Sequence, residues 1–186
     1  MMEHKGTVQL TSERLILRQF SMQDAEAMYR NWASDNAVTR YLTWPSYQNA
    51  GTAVSTLKDW TGRYSDPSFY QWAIALKDHP EEPIGSISVV NDIDDVIRNA
   101  EIGYCIGRKW WGHSITAEAL KTVMAFLFDE VGVNKVSARH DVNNPASGKV
   151  MMKCGMQYEG TLRQAAKNNQ GVCDIRCYGL LANERQ

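Results

Sequence analysis

Residues 99–120 read NAEIGYCIGRKWWGHSITAEAL. Glu101 to Ile106 has the length and apolar content of a strand. The last part opens a helix: Ile115, Ala119, Val123 and Leu127 recur at every fourth place, with Leu120, Met124 and Phe128 beside them, and the pattern predicts a helix from Ile115 to Val131. Between the two, a pair of tryptophans runs into Gly112, His113 and Ser114. A diphosphate needs several backbone N–H groups converging on it. A helix N-terminus supplies free donors and the positive end of the dipole. A glycine just before it lets the backbone approach with no Cβ in the way. Gly112-His113-Ser114 meets those demands, and Arg108, Lys109 and His113 add positive potential. An ordinary strand-to-helix turn with exposed basic residues is the alternative this stretch leaves open.

Outward from it, the punctuation is regular. Arg14 to Phe20 alternates as a strand, and Ser21 can cap a helix from Met22 to about Trp32 with Asp24 in its first turn. Asn49 to Tyr64 is a second, weaker helical stretch. Phe69–Leu76 and Ile84–Val90 read as strands, with KDHPEEP (77–83) as the turn between them. Gly103 points to a bulge or a close backbone approach. After a stop at Gly132, Lys135–His140 is a strand. Asn144-Pro145 starts a helix, Asn at the cap and Pro in the first turn, that ends at Cys154-Gly155. Met156–Arg163 and Val172–Leu181 are the last strands. The order predicts one α/β (α+β) domain, residues 1–186, around one twisted mixed sheet.

Composition narrows the function. Lys plus Arg is 20 and Asp plus Glu is 21 in 186 residues, which gives no general basic field for nucleic acid and no acidic tail. The longest apolar run, Val123 to Phe128, is far too short for a bilayer, and MMEHKGTVQL lacks the apolar core of a signal peptide. Four cysteines are too few and too scattered for a disulfide framework, so a reduced, cytoplasmic protein is expected. Six Trp and eight Tyr argue against disorder. Oligomeric state is left open, a homodimer included.

With NNPASGKVMMKCGMQYEGTLR (143–163) added to the opening stretch, the chain resembles the GNAT superfamily of acetyl-CoA-dependent N-acetyltransferases. More narrowly it is similar to the RimJ/RimL-like branch, which includes ribosomal-protein N-terminal acetyltransferases. TSERLILRQFSMQDAEAMY (11–29) resembles that branch's first strand and helix, and GVCDIRCYGLL (171–181) its last strand. The resemblance spans about Thr11 to Leu181. It implies about seven strands with splayed central parallel strands and about four flanking helices. It also implies that acetyl-CoA is co-substrate to an amine acceptor; charge, hydropathy and cysteine spacing lead to no expected metal, direct nucleic-acid or membrane partner.

The family's phosphate loop follows Gln/Arg-x-x-Gly-x-Gly/Ala. Here Lys109 stands where Gln or Arg is usual and Ser114 where the second Gly or Ala is usual. Arg108, Lys109, Trp111, Gly112, His113, Ser114 and Ile115 are thereby implied in cofactor binding. So are backbone groups of Tyr104, Cys105 and Ile106, which would face the pantetheine where Ala100–Ile106 and Lys135–His140 splay apart, an N–H there serving the oxyanion. Lys149 and Lys153, four apart on one helix face, are implied at the 3′-phosphate or are solvated surface.

Acetyl transfer from a thioester to an amine needs a deprotonated nitrogen, donors for the oxyanion and a proton or hydrogen bond for the leaving thiolate. Glu101, at the start of the strand, is the candidate base through a water, and desolvation would strengthen it. An ion-paired or solvated strand-end Glu is the alternative. His140 is a second candidate base, or a structurally bonded histidine. Many GNAT enzymes carry a Tyr seven residues after the helix-starting Asn. Met151 stands there and has no proton to give; Ser147, one turn into the same helix where the RimJ/RimL-like branch carries a Ser, is by that resemblance the candidate acid, against the reading of a first-turn serine bonded to backbone. Asn144 caps its helix and, by resemblance, bonds the pantetheine amide. No covalent intermediate is required, so Cys105 is not assigned as a nucleophile. Cys173 and Cys177, if on a strand, stand about 13 Å apart, too far for one metal.

Trp32, Tyr41, Trp44, Tyr47, Trp60 and Tyr64 make the N-terminal half aromatic. By resemblance that half shapes the acceptor pocket, though most such residues are core. A protein N-terminal α-amine is the first acceptor by branch analogy. A small amine (polyamine, amino acid or aminoglycoside-like) is second, and a non-catalytic acyl-CoA-binding module is the rival class.

Overall fold

The computed structural model describes residues 2–185. Eight strands form one sheet in the order β1-β2-β3-β4-β5-β6-β8-β7. They are β1 (Leu10–Thr11), β2 (Leu15–Arg18), β3 (Gln71–Leu76), β4 (His79–Val89), β5 (Asn99–Ile106), β6 (Lys135–Asp141), β7 (Gln157–Asn168) and β8 (Gly171–Leu181). The helices are α1 (Ala25–Met28), α2 (Asn36–Thr39), α3 (Ala50–Arg63), α4 (Ile115–Phe126) and α5 (Pro145–Lys153). The expected mixed α/β sheet is present, with eight strands in place of about seven. The additional strand is the two-residue β1.

Every neighbouring pair is antiparallel except β5 and β6. That parallel pair holds only where Asn99, Ala100 and Glu101 face Lys135, Val136 and Ser137. Beyond it β5 follows β4, with Ile102 to Ile106 opposite Val89 to Gly85, while β6 follows β8 as far as Asp141. Each strand is held by an antiparallel partner on its outer side, so the two diverge and leave a wedge at the centre of the sheet.

Both faces are covered. α4 buries Ile115, Ala119, Leu120 and Val123, and the π turn that continues it (Leu127–Val131) buries Leu127, in a cluster with Trp72, Ile74 and Ile87. α1 and α3 bury Ala25, Met28, Ala53 and Leu57 in a second cluster with Trp32 and Ala73. Trp72 and Ala73 are adjacent on β3 and go to opposite clusters, as strand alternation requires. That is why QWAIAL reads as an almost unbroken apolar run.

Three local readings change. Residues 22–33 form one continuous run that is not uniformly α-helical: a 3-10 turn (Met22–Asp24) leads into α1, then a wider π turn (Tyr29–Ala33). The Ser21 hydroxyl caps nothing; the Asp24 carboxylate instead accepts from the Ser21 N–H at 2.7 Å and from both terminal nitrogens of Arg18 at 2.8 Å. The expected turn at 77–83 shrinks to its first two residues, because β4 begins at His79 and register shifts at Ala75 absorb the prolines. At Gly103 the strand carries no bulge; a Cβ would sit 2.8 Å from Val90 Cγ1, which makes it a site of close approach.

Candidate functional site

The loop before α4 is built from two left-handed residues, Gly112 (φ 79°) and Ser114 (φ 61°). Among the described residues, none accepts a hydrogen bond from the backbone N–H groups of Gly112 through Ala117. Three of those, at 115–117, are the ordinary orphans of a helix start. The other three are released by the turn that precedes it. A Cβ on Gly112 would meet nothing within 4 Å, so the space beside this residue is open. A cradle of this kind fits a pyrophosphate.

Side chains hold the loop from both sides. Arg14 donates to the His113 carbonyl at 3.1 Å and grips Glu118 of α4, whose carboxylate also accepts from the Ser12 hydroxyl at 2.6 Å and the Arg14 N–H at 2.8 Å. On the other flank Lys153 Nζ donates to Ser114 Oγ at 2.5 Å. The Ser114 hydroxyl therefore does not cap α4. Lys153, not Lys149, reaches the loop; Lys149 is exposed. The Arg108 guanidinium is turned to Asp35 at 3.0 Å, and the Lys109 ammonium lies over the Trp110 ring at 5.3 Å. Ile115 puts its side chain in the core and offers the loop only its amide. Trp111 is half-exposed and donates its indole N–H to the Ile106 carbonyl at 2.9 Å.

That bond bears on the wedge. Gly107 N–H bonds Ile84 and Val90 N–H bonds the Glu101 carbonyl, so odd-numbered residues of β5 turn their main chain to β4, and the alternation of antiparallel pairing turns Ile102, Tyr104 and Ile106 toward the wedge. The Cys105 main chain is committed to β4, and the Ile106 carbonyl to Trp111. Tyr104 and Ile102 keep main-chain groups facing the opening.

The wedge leads into a cavity of about 620 Å³ that brings together Glu101, Tyr104, Cys105, His140, Asn144 and Ser147. Glu101 Oε1 is ion-paired to Arg139 Nε at 2.8 Å, on the neighbouring strand, and is about one-quarter exposed. Ser147 Oγ lies 3.0 Å from the Tyr104 phenol oxygen. Met151 is fully buried below them. Asn144 occupies the cap position, yet its side chain makes no capping bond and lines the cavity instead. His140 is buried and stacked on Tyr178. Its Nδ1 lies 2.7 Å from the Asp141 carbonyl, an acceptor only, so Nδ1 donates to it. Nε2 is buried without a partner, against Gly148 of α5. This histidine is structurally bonded. Cys105 Sγ lies 3.4 Å from Ser86 Oγ, and burial pushes its thiol up, which favours the inert protonated form. Burial alone would push the Asp141 carboxyl up too, but bonds from the Asn143 amide and from Asn168 outweigh it and hold it below the usual carboxylate range. Among the described residues, no group of three or more His, Cys, Asp and Glu could hold a metal ion, and no helix is long and apolar enough to cross a membrane.

Trp32, Tyr41, Trp44, Tyr47 and Trp60 line the N-terminal side of the same cavity. Tyr64 does not; its hydroxyl donates to the Gln71 carbonyl and accepts from the Phe20 N–H. A bridge between two segments that line the cavity has no counterpart in the sequence reading. Asn169, at the tip of the β7–β8 hairpin, donates its side-chain amide to the carbonyls of Thr39 (2.8 Å) and Trp44 (2.7 Å), and its N–H to that of Leu42 (3.1 Å). Asn168-Asn169-Gln170-Gly171 signals a turn, but nothing in it names the loop it meets.

Residues 14–157 match the family model "Acetyltransferase (GNAT) domain". The chain is 31% identical over 172 residues to the "Uncharacterized N-acetyltransferase YoaA" of Bacillus subtilis (strain 168), covering 92% of this chain and 96% of that one. It is 29% identical over 105 residues to the ribosomal-protein-serine acetyltransferase of Escherichia coli (strain K12), covering 56% and 58%. A GNAT-family acetyltransferase of Bacillus anthracis superposes with a TM-score of 0.82 at 21% identity, covering 95% of this chain and 99% of that one, a likeness of fold. A parallel pair of strands that parts, an amide-rich loop ahead of the main helix and a match over most of the length belong together: the chain is an N-acetyltransferase of the GNAT family.

Proposed function

We propose that this enzyme moves the acetyl group of acetyl-CoA onto a primary amine carried by a compact acceptor, by direct attack within a ternary complex. The unpartnered amides at 112–117 would take the pyrophosphate, Lys153 would add charge beside it, and the wedge-facing main chain of Tyr104 would pair with the pantetheine. Glu101 would accept the ammonium proton through a water; Arg139 holds one of its oxygens and leaves the other for that water. Ser147 would protonate the departing thiolate.

The observation that favours a compact acceptor is the Asn169 bridge, which ties the C-terminal hairpin to the aromatic loop at 39–44, two segments that line the cavity. Walls fastened to each other admit a small amine more readily than a folded partner's chain. The second reading, a peptide N-terminal α-amine, is favoured by the name of the ribosomal-protein-serine acetyltransferase relative. Incubation with acetyl-CoA and a mixed library of metabolites and peptides, read by mass, decides. Acetylated small amines, lost with Glu101→Gln, are expected. Acetylation confined to peptide N-termini would establish the second reading. A raised melting temperature with CoA but no turnover on any amine would leave only a binding module.

A further inference from the structure

A serine in the first turn of a helix usually returns its hydroxyl to the backbone. Ser147 does not. Its Oγ lies 3.0 Å from the phenol oxygen of Tyr104, which also lies 3.1 Å from the Ser147 carbonyl. A phenol has one hydrogen, and a carbonyl can only accept. If the phenol donates to the carbonyl, its oxygen is left as an acceptor and draws the Ser147 hydrogen. If the phenol donates to Oγ, the Ser147 hydrogen is free to point into the cavity that both residues line. The phenol thus has two acceptors on one residue, and its choice between them sets the direction of the serine proton. At the neighbouring position on the same helix, Met151 has no proton to offer.

We infer that Tyr104 is a positioning residue for acetyl transfer, whose phenol turns the Ser147 hydroxyl hydrogen toward the thioester sulfur and holds Oγ while the thiolate leaves. The inference rests on the acetyl-CoA reading above. In the step, the amine nitrogen bonds to the acetyl carbon and the carbon–sulfur bond breaks. The electron pair goes to sulfur, and sulfur takes the Ser147 proton. Two protons leave the ammonium nitrogen: the first passes through a water to Glu101 before attack, and the second, released as the amide forms, passes through water to Oγ. One proton therefore arrives on sulfur and one is left on Glu101 for release to solvent, so no other reactant is consumed. Burial pushes the Tyr104 phenol well above its ordinary range, against the opposing bond from Ser147. It therefore remains a neutral donor throughout.

Tyr104→Phe tests this, since it keeps the ring and removes only the hydroxyl. The expected result is a fall in kcat of about 10- to 100-fold with the KM for acetyl-CoA nearly unchanged. Tyr104→Phe combined with Ser147→Ala should be no slower than Ser147→Ala alone, because both remove one device. Wild-type kcat in Tyr104→Phe, or penalties that multiply in the double variant, would overturn the inference. Should Tyr104→Phe fail to fold, Ser147→Ala decides: it must keep the thermal shift with CoA while kcat falls at least about tenfold, and a full rate would overturn the pairing. A wild-type enzyme that acetylates no amine overturns the acetyl-transfer reading and the inference together. Turnover beside an unimpaired Tyr104→Phe overturns the inference alone.

Discussion

Arg14 holds Glu118 through two nitrogens, Nε and Nη2, each 2.7 Å from the same carboxylate oxygen, and donates to the carbonyl of His113 at 3.1 Å with its third. One guanidinium thereby fastens the edge of the sheet to the first turn of α4 and fixes the loop whose amides face the opening. Burial alone would push the Glu118 carboxyl up, but the bonds from Ser12 and Arg14 outweigh it and hold it below its ordinary range.

A folded-state pKa below the unfolded value means stability that is present above the unfolded pKa and lost as pH falls through the folded one. The Glu118 contribution should be complete above about pH 5 and be lost progressively as pH falls through the folded-state value, which lies below the ordinary carboxylate range. Glu118→Gln should destabilise the protein by about 1–2 kcal/mol at neutral pH, discounted because Arg14 is partly exposed. Its melting temperature should converge with the wild type's in acid. Thermal melts of both proteins from pH 7 to pH 3 check this; a gap that persists at the acid end would show that packing, not charge, is what the substitution removes.

Gly112→Ala should separate stability from cofactor binding. Its Cβ would meet no atom within 4 Å, so the packing cost is nil and the left-handed φ of 79° is the main penalty, about 1–2 kcal/mol. The added methyl would stand in front of the unpartnered amides. Titration of CoA should show affinity reduced by roughly tenfold, out of proportion to the modest shift in melting temperature.

Gly148→Ala should act through His140. A Cβ at this position would lie 2.6 Å from the buried, unpartnered Nε2, and a stacked ring bonded at Nδ1 cannot move aside. α5 must shift instead, carrying Ser147 and Asn144 with it. A loss of about 1–3 kcal/mol in denaturant unfolding, together with a lower kcat in the folded fraction, is expected. An undisturbed melt would mean that the ring yields.

Asn169→Ala removes two side-chain bonds at an exposed hairpin tip. Stability should fall by only about 1 kcal/mol, because water replaces the amide. The acceptor profile should change more, with bulkier amines and longer peptides becoming substrates. Steady-state rates across a size series of amines read this directly; an unchanged profile would show that the bridge does not gate the chamber.

Much of the frame could be read locally. The fourfold spacing of Ile115, Ala119, Val123 and Leu127 marks α4 because each helix face repeats within a few residues. Gly112 before that helix marks the loop because open backbone and free amides are properties of adjacent residues. The helix expected from Met22 to about Trp32 is present for the same reason, as one continuous right-handed run; its tight first turn and wide last turn, where it meets α3 and β4, have no signature in the periodicity. Asn144 shows the limit from the other side. Asn-Pro correctly marks where α5 begins, yet the side chain turns away from its own helix into the cavity.

Pattern and residue chemistry alone were enough for seven of the eight strands, the main helix and the glycine turn ahead of it. Nothing local indicates that Lys153 rather than Lys149 reaches Ser114, or that the hydroxyl facing Ser147 comes from a tyrosine 43 residues away. Nor does it indicate that Asn169 closes on carbonyls 125 and 130 residues earlier in the chain. Those partnerships depend on how whole elements pack across the divergent centre of the sheet. A side chain's bonding capacity is intrinsic to it, while its partner is whatever the packed core brings within about 3 Å.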